Sequence, residues 1–292
     1  MTAVVPELTD GSRMSRDVST RRRGRWPLGP VATGAAVVLL AIVAAAAVPG
    51  VIAPADPLAV SPADAFAHPS FAHLFGTDES GRDVFTRVVH GAGQSLLIGV
   101  AATAIGVGFG LVLGIAAGVG GKVTDLAVSR LLEVLFALPG LLLALVIIAF
   151  VGPGPIPATL AVGFATAPGY ARIFRTQIRR VRASPMAEAA LVLGRRPSTV
   201  LVRHVLPNAL APVVVLATLG VGQAVVWASS LSYLGLGTPP PAPEWGSMLE
   251  AARTYLAIAW WMTVFPGLGI VLTAASTTVL GRALSRRGRE AR

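Results

Sequence analysis

Glu188, Ala189 and Ala190, followed by a glycine at 194 and a Leu-Pro pair at 206–207, form a polar island in an otherwise apolar chain. The carboxylate of Glu188 can pair with basic side chains or N–H groups on a partner surface. Ala189 and Ala190 are small enough to let such a surface approach closely. A helical stretch begins at Glu188 and Gly194 breaks it, because glycine takes positive φ without steric cost. Arg195, Arg196 and Pro197 come next, and a second helical stretch runs into Leu206-Pro207. Pro207 sits where the first turn of a following helix begins, a position at which its missing N–H costs nothing. His204, Arg195 and Arg196 add polar contacts of second rank, and Asn208 ends the segment. The chemistry on offer is docking, with neither a nucleophile nor an acid–base pair.

Elsewhere the chain starts several catalytic or metal-binding patterns and completes none. The nearest approach to a phosphate-binding loop is GIAAGVGGKV at 114–123, which has Ala116 where glycine is needed and Val123 where Ser or Thr is needed. Asp78-x-Ser80-x-Arg82 has the rhythm of a calcium loop, with an arginine at a ligand position. His68, His73, His90 and His204 are too scattered for a metal site, and there is no HExxH. Ser95, within GQSLLIG, has no His/Asp partner in a span. With no cysteine, thiol and disulfide chemistry are excluded. No catalytic residue and no metal ligand is assigned.

The elements that must position the docking segment belong to a membrane. Apolar residues make up 54% of the 292 and charged residues only 13%, about half the share of a soluble domain. Mean hydropathy is +0.71. Arg21, Arg22, Arg23 and Arg25 precede an uncharged run from Leu28 to Ile52, long enough to span the bilayer core and too long for the apolar region of a signal peptide. Further apolar segments lie near 95–120, 131–152, 157–175, 209–236 and 259–283, making about six in all. They are rich in glycine (Gly106, Gly108, Gly110, Gly114, Gly118), which suits close helix packing in lipid. Pro139, Pro168 and Pro266 are expected to interrupt spans. If the N-terminus is inside, the outside segments 53–94, 153–156 and 237–258 hold 3 of the 24 basic residues and 7 of the 14 acids. The inside then carries +14 and the outside −4, the asymmetry of the positive-inside rule. That distribution accounts for the net charge of +10 without nucleic acid. Two local expectations follow: Asp83 and Arg87 pair at i, i+4 on a helix face, and Trp245 starts a short interfacial helix after a proline run that stops the fifth span.

Glu-Ala-Ala, three residues, glycine and eleven residues to Leu-Pro resembles the EAA loop of ABC-transporter permease subunits, and His204-Val205-Leu206-Pro207-Asn208 resembles its dipeptide/oligopeptide/nickel branch. GTDESGRDVFTRVVHGAGQS (76–95) is similar to a block of the same branch, as is L-G-L-G followed by P-x-P-E-W-G-x-M-L. The resemblance covers about residues 27–283. Arg195-Arg196-Pro197 departs from the usual continuation of the loop, and the basic RALSRRGREAR tail departs from the acidic ending of relatives.

The resemblance implies an all-α, multi-pass protein of the cell membrane with the type I ABC importer permease fold, about six transmembrane helices and both termini cytoplasmic. The expected organisation is a cytoplasmic tail at 1–26, a first span and extracytoplasmic segment at 27–94, a permease domain at 95–283 and a tail at 284–292. Within the permease domain, 176–208 is the coupling loop, with Glu188, Ala189, Ala190, Gly194, Arg195, Arg196, His204, Leu206, Pro207 and Asn208 as ATPase-docking residues. Implied partners are a homologous second permease, this chain being the C-type member, two ABC ATPase subunits and an extracytoplasmic substrate-binding protein. ATP and magnesium belong to the ATPases, so this chain carries no cofactor and is not an enzyme. The motifs do not separate peptides from chelated nickel. Uncharged, small-residue spans without Cys or His suit a wide path for short peptides better than direct nickel coordination. An ion-gradient transporter would need ionisable residues within spans, and these show essentially none away from their ends.

Overall fold

The computed structural model describes residues 29–210 and 212–290, with side chains to Arg286. The arginine cluster at 21–25, the start of the first apolar run and the last two residues lie outside them. The described residues are helical throughout their regular structure: α1 (Pro30–Ala47), α2 (Pro49–Ile52), α3 (Val84–Val119), α4 (Lys122–Phe136), α5 (Gly140–Val151), α6 (Pro155–Arg182), α7 (Pro185–Val192), α8 (Pro197–Val200), α9 (Leu206–Leu210), α10 (Val213–Tyr233), α11 (Trp245–Ala252) and α12 (Trp261–Glu290). By length and apolarity α1, α3, α10 and α12 can cross a membrane, and α4 with α5 makes a fifth span if that bent pair counts as one. The apolar segment at 157–175 falls on α6, which has 28 residues but is less apolar.

The architecture is set by α3, 36 residues long and therefore about 54 Å from end to end at 1.5 Å per residue. Its glycines at 106, 110, 114 and 118 recur every fourth position and face α6. A Cβ at Gly110 would stand 2.5 Å from Tyr170 Cβ and 2.9 Å from the Ala167 carbonyl. Hydrocarbon lipid gives no hydrophobic drive for two helices to associate, so close backbone approach along such a stripe is what joins them. Gly108, off the stripe, faces open space. α5 and α10 pack beside this pair through Ile98, Leu143, Ile148, Val162 and Leu231. α1 lies against α3 and α12 with only Ala32 buried, leaving Val31, Val37 and Leu40 exposed.

Of the three prolines expected to interrupt spans, only Pro139 does. α4 and α5 meet there at 92°. The proline disfavours helical φ/ψ at Leu138, and its own missing N–H cannot continue the ladder. Pro168 and Pro266 sit inside continuous helices. The fifth span is likewise stopped by a different residue from the one expected. α10 ends at Tyr233 and is closed by Gly235 (φ 77), where Gly235 N–H donates to Ser232 O and Leu236 N–H to Leu231 O, before the proline run begins.

The end of the molecule carrying 53–83 and 237–260 is tied together by buried polar groups. Asp83 does not pair with Arg87. It is the N-cap of α3, accepting from Thr86 N and Thr86 Oγ1 at 2.8 Å, and it also meets His73 Nδ1 at 3.1 Å. A residue at the N-cap lies outside the helical face that i, i+4 spacing assumes. Arg87, its side chain 7% exposed, turns instead to Asp78 at 3.6 Å and donates to the carbonyls of Pro57 and Pro241 at 3.1 and 3.2 Å. Trp245 is buried and not an interfacial anchor, its Nε1 donating to Val88 O at 2.9 Å. Glu244 caps α11 from within the core, accepting from Gly246 N, Ser247 N and Ser95 Oγ.

Candidate functional site

At the far end of α3 the segment expected to dock folds as a compact hairpin. α6 runs on to Arg182, so residues 176–182, expected in the loop, are still helix. Ser184 then precedes Pro185, and α7 starts there, three residues ahead of the Glu188 start read from the sequence. α7 ends in the same geometry that ends α10. Gly194 has φ 78, its N–H donates to Leu191 O, and Arg195 N–H donates to Ala190 O. A Cβ at Gly194 would meet nothing within 4 Å, so the need for glycine comes from the backbone conformation alone.

The second half departs from expectation. Pro197 opens a helix that passes through Pro207 without stopping. A π turn over Leu201–Val205 joins α8 to α9, with Leu206 N–H donating to Leu201 O. Pro207 lacks the N–H that an α-helix would use at that position, and the widened turn just upstream accommodates the loss. Asn208 Nδ2 donates to His204 O at 2.8 Å, supporting the same turn.

A small apolar cluster fastens the hairpin to the spans. Ala187, Val200, Val205 and Ala209 are buried against Ile178, with Ala190 and Leu206 packed alongside. These inward residues orient the outward ones. Glu188, Ala189, Gly194, Arg195, Arg196, Pro207 and Asn208 are exposed, and His204 is half-buried. The ten expected docking residues therefore share one substructure in two roles: Ala190 and Leu206 anchor it, and the others mostly face outward. Sequence reading overlooked three apolar residues at the tip. Leu191 is exposed, and Val192 and Leu193 are 83% and 82% exposed. The available signal was an apolar triplet directly before a helix-ending glycine, more apolar surface than a short solvated helix needs.

α6, which leads into the hairpin, is tied to α3 and α4. Asp125 on α4 meets Arg175 Nε and Arg179 Nη2 of α6 at 2.7 Å each. Arg182 Nη1 donates to the Gly118 and Val119 carbonyls, closing the C-terminus of α3.

Comparison with known proteins places this arrangement. Residues 110–290 match the family described as "Binding-protein-dependent transport system inner membrane component". The dipeptide transport system permease protein DppC of Alkalihalophilus pseudofirmus is 38% identical over 224 residues, 77% of this chain and 74% of that protein. The glutathione transport system permease protein GsiD of Pectobacterium atrosepticum is 38% identical over 216 residues, 74% of this chain and 72% of that one. Among solved structures, an inward-facing MetNI methionine ABC transporter superposes with a TM-score of 0.53 at 19% identity, over 68% of this chain and 97% of that chain. An amino acid ABC transporter with histidines gives 0.53 at 18% identity, over 70% and 94%. The fold is that of the type I ABC importer permeases.

Proposed function

Because this chain belongs to the family of binding-protein-dependent transport system inner membrane components, a multi-pass permease subunit, we propose that it carries short peptides across the cell membrane as the C-type member of a permease pair. The support for peptides is the substrate named for its relatives, which include dipeptide, di/tripeptide and glutathione permeases at 38–39% identity. In this reading a homologous permease completes the path, a secreted binding protein delivers the peptide, and two ATPases bind the 184–208 hairpin from the cytoplasm. ATP and magnesium are held by those ATPases. Both chain termini are cytoplasmic, and 53–94 is outside.

The mechanism is alternating access. ATP-driven closure of the ATPases displaces α7, whose exposed acid and small residues meet their surface. The Ile178 cluster and the Asp125 and Arg182 contacts carry that displacement into α3, α4 and α6. The rigid α3–α6 pair then rocks, and the sharp bend at Pro139 lets α5 follow a different course from α4.

Uptake of labelled dipeptides and of labelled nickel, in cells with and without the gene, tests the substrate. Loss of dipeptide uptake with nickel unchanged is expected. Loss of nickel uptake alone overturns the peptide reading.

A further inference from the structure

A cavity of about 300 Å³ opens beside the α4–α5 bend, lined by Phe136, Leu138, Gly140, Thr166, Gly169 and Trp227 among others. Its depth can be read from the helix seam: Thr166 lies against Gly106, close to the middle of α3. Broken backbone at that depth is tolerated only where protein buries it or a water-filled cavity receives it. α4 ends there with carbonyls that no further helical turn serves, and α5 begins with N–H groups in the same position. Discontinuous helices of this kind hold solutes at the midplane of other transporters.

The charge beside the cavity is the second observation. Arg172 lies between the lining residues Tyr170 and Ile173 of α6, and its guanidinium stacks over the ring of Phe136, itself a lining residue, at 4.0 Å. Three other arginines of this helix are engaged, Arg175 and Arg179 by Asp125 and Arg182 by the α3 carbonyls. Among the described residues no carboxylate lies within ion-pair range of Arg172, and it is exposed. Arg172 stands three residues from the end of the apolar 157–175 segment and is joined to the cavity wall through Phe136. An unpaired guanidinium fixed by an aromatic ring at the rim of an apolar cavity has the chemistry to receive a carboxylate whose attached chain is variable and partly apolar.

We propose that this cavity is a transit site for the substrate, in which Arg172 takes the C-terminal carboxylate of a short peptide while its side chains lie against Phe136, Leu138 and Trp227. The assignment rests on the peptide reading above. It gives a path lined by uncharged residues a way to recognise what all peptides share without selecting among side chains.

The chain has no cysteine, and a Cβ at Gly169 meets nothing within 4 Å, so Gly169→Cys places one thiol in the cavity at little steric cost. In the assembled transporter, dialanine should slow thiol labelling at this position and dialanine amide should not. Arg172→Ala should weaken that protection about tenfold, the effect of one charge-assisted contact, and Arg172→Lys should restore part of it. With Gly169 intact, Arg172→Ala should lower dialanine uptake similarly, while Arg130→Ala, exposed on α4 and outside the cavity lining, should not. Equal protection by dialanine and its amide, or uptake unchanged in Arg172→Ala, overturns the site while leaving peptide transport standing. A wild-type complex that moves no peptide overturns the peptide reading itself, and the site with it.

Discussion

Gly194→Val should cut transport at least tenfold while leaving the amount of protein in the membrane unchanged. Left-handed backbone costs an L-residue about 1–2 kcal/mol, and more when the side chain is β-branched, so valine rebuilds the end of α7 instead of adopting it. The two bonds that close the turn, from Gly194 to Leu191 and from Arg195 to Ala190, are then lost. Their loss displaces the exposed acid and apolar tip of α7 but not the buried residues that hold the hairpin to Ile178. Gly194→Asn is the matched control, because asparagine adopts this conformation more readily and nothing crowds its Cβ. Uptake measured beside immunoblots of the membrane fraction checks the pair. Equal activity in the valine and asparagine variants would show that the turn has no part in coupling.

Glu244→Ala should be the most destabilising single change at the opposite end. The carboxylate is 1% exposed and accepts from Gly246 N, Ser247 N and Ser95 Oγ at 2.8, 2.9 and 3.1 Å. Alanine removes the acceptor and leaves two backbone N–H groups buried and unserved, at a cost of about 3 kcal/mol. Glu244→Gln keeps one acceptor oxygen and should lose less. Thermal unfolding in detergent reads the order, wild type above Gln above Ala. An alanine variant as stable as its parent would mean that the apolar packing of Trp245, Met248 and Ala252 holds α11 without the cap.

The parts of the fold that were legible in the sequence are those that depend on local composition. Hydropathy marks the spans because the bilayer rewards it residue by residue. The stripe at Gly106, Gly110, Gly114 and Gly118 marks the α3–α6 seam because a four-residue period keeps one helix face bare. The hairpin was legible through Gly194, whose conformation is a property of the residue itself. What was misread depended on context. Asp83 and Arg87 have pairing spacing, yet one is a cap and the other reaches back to Pro57 and forward to Pro241 across long chain separations. Trp245 has the composition of an interfacial anchor, and only the tertiary fold shows that α3 and α12 bury it. Pro139, Pro168 and Pro266 are each followed by glycine in the sequence, and only the fold shows which one breaks a span. The cavity was not legible, because four helices and a bend contribute its walls.

Cross-linking from Val192 tests the account most directly. The residue is 83% exposed at the tip of α7, and a cysteine placed there is unique in the chain. Phe71, fully exposed in the 53–83 segment at the other end, supplies the comparison position. In membranes that actively import peptide, a thiol cross-linker at Val192→Cys should capture an ATPase subunit and one at Phe71→Cys should not. Capture of the ATPase from Phe71→Cys, or none from Val192→Cys in a transporting complex, would contradict the assignment of the 184–208 hairpin as the coupling element.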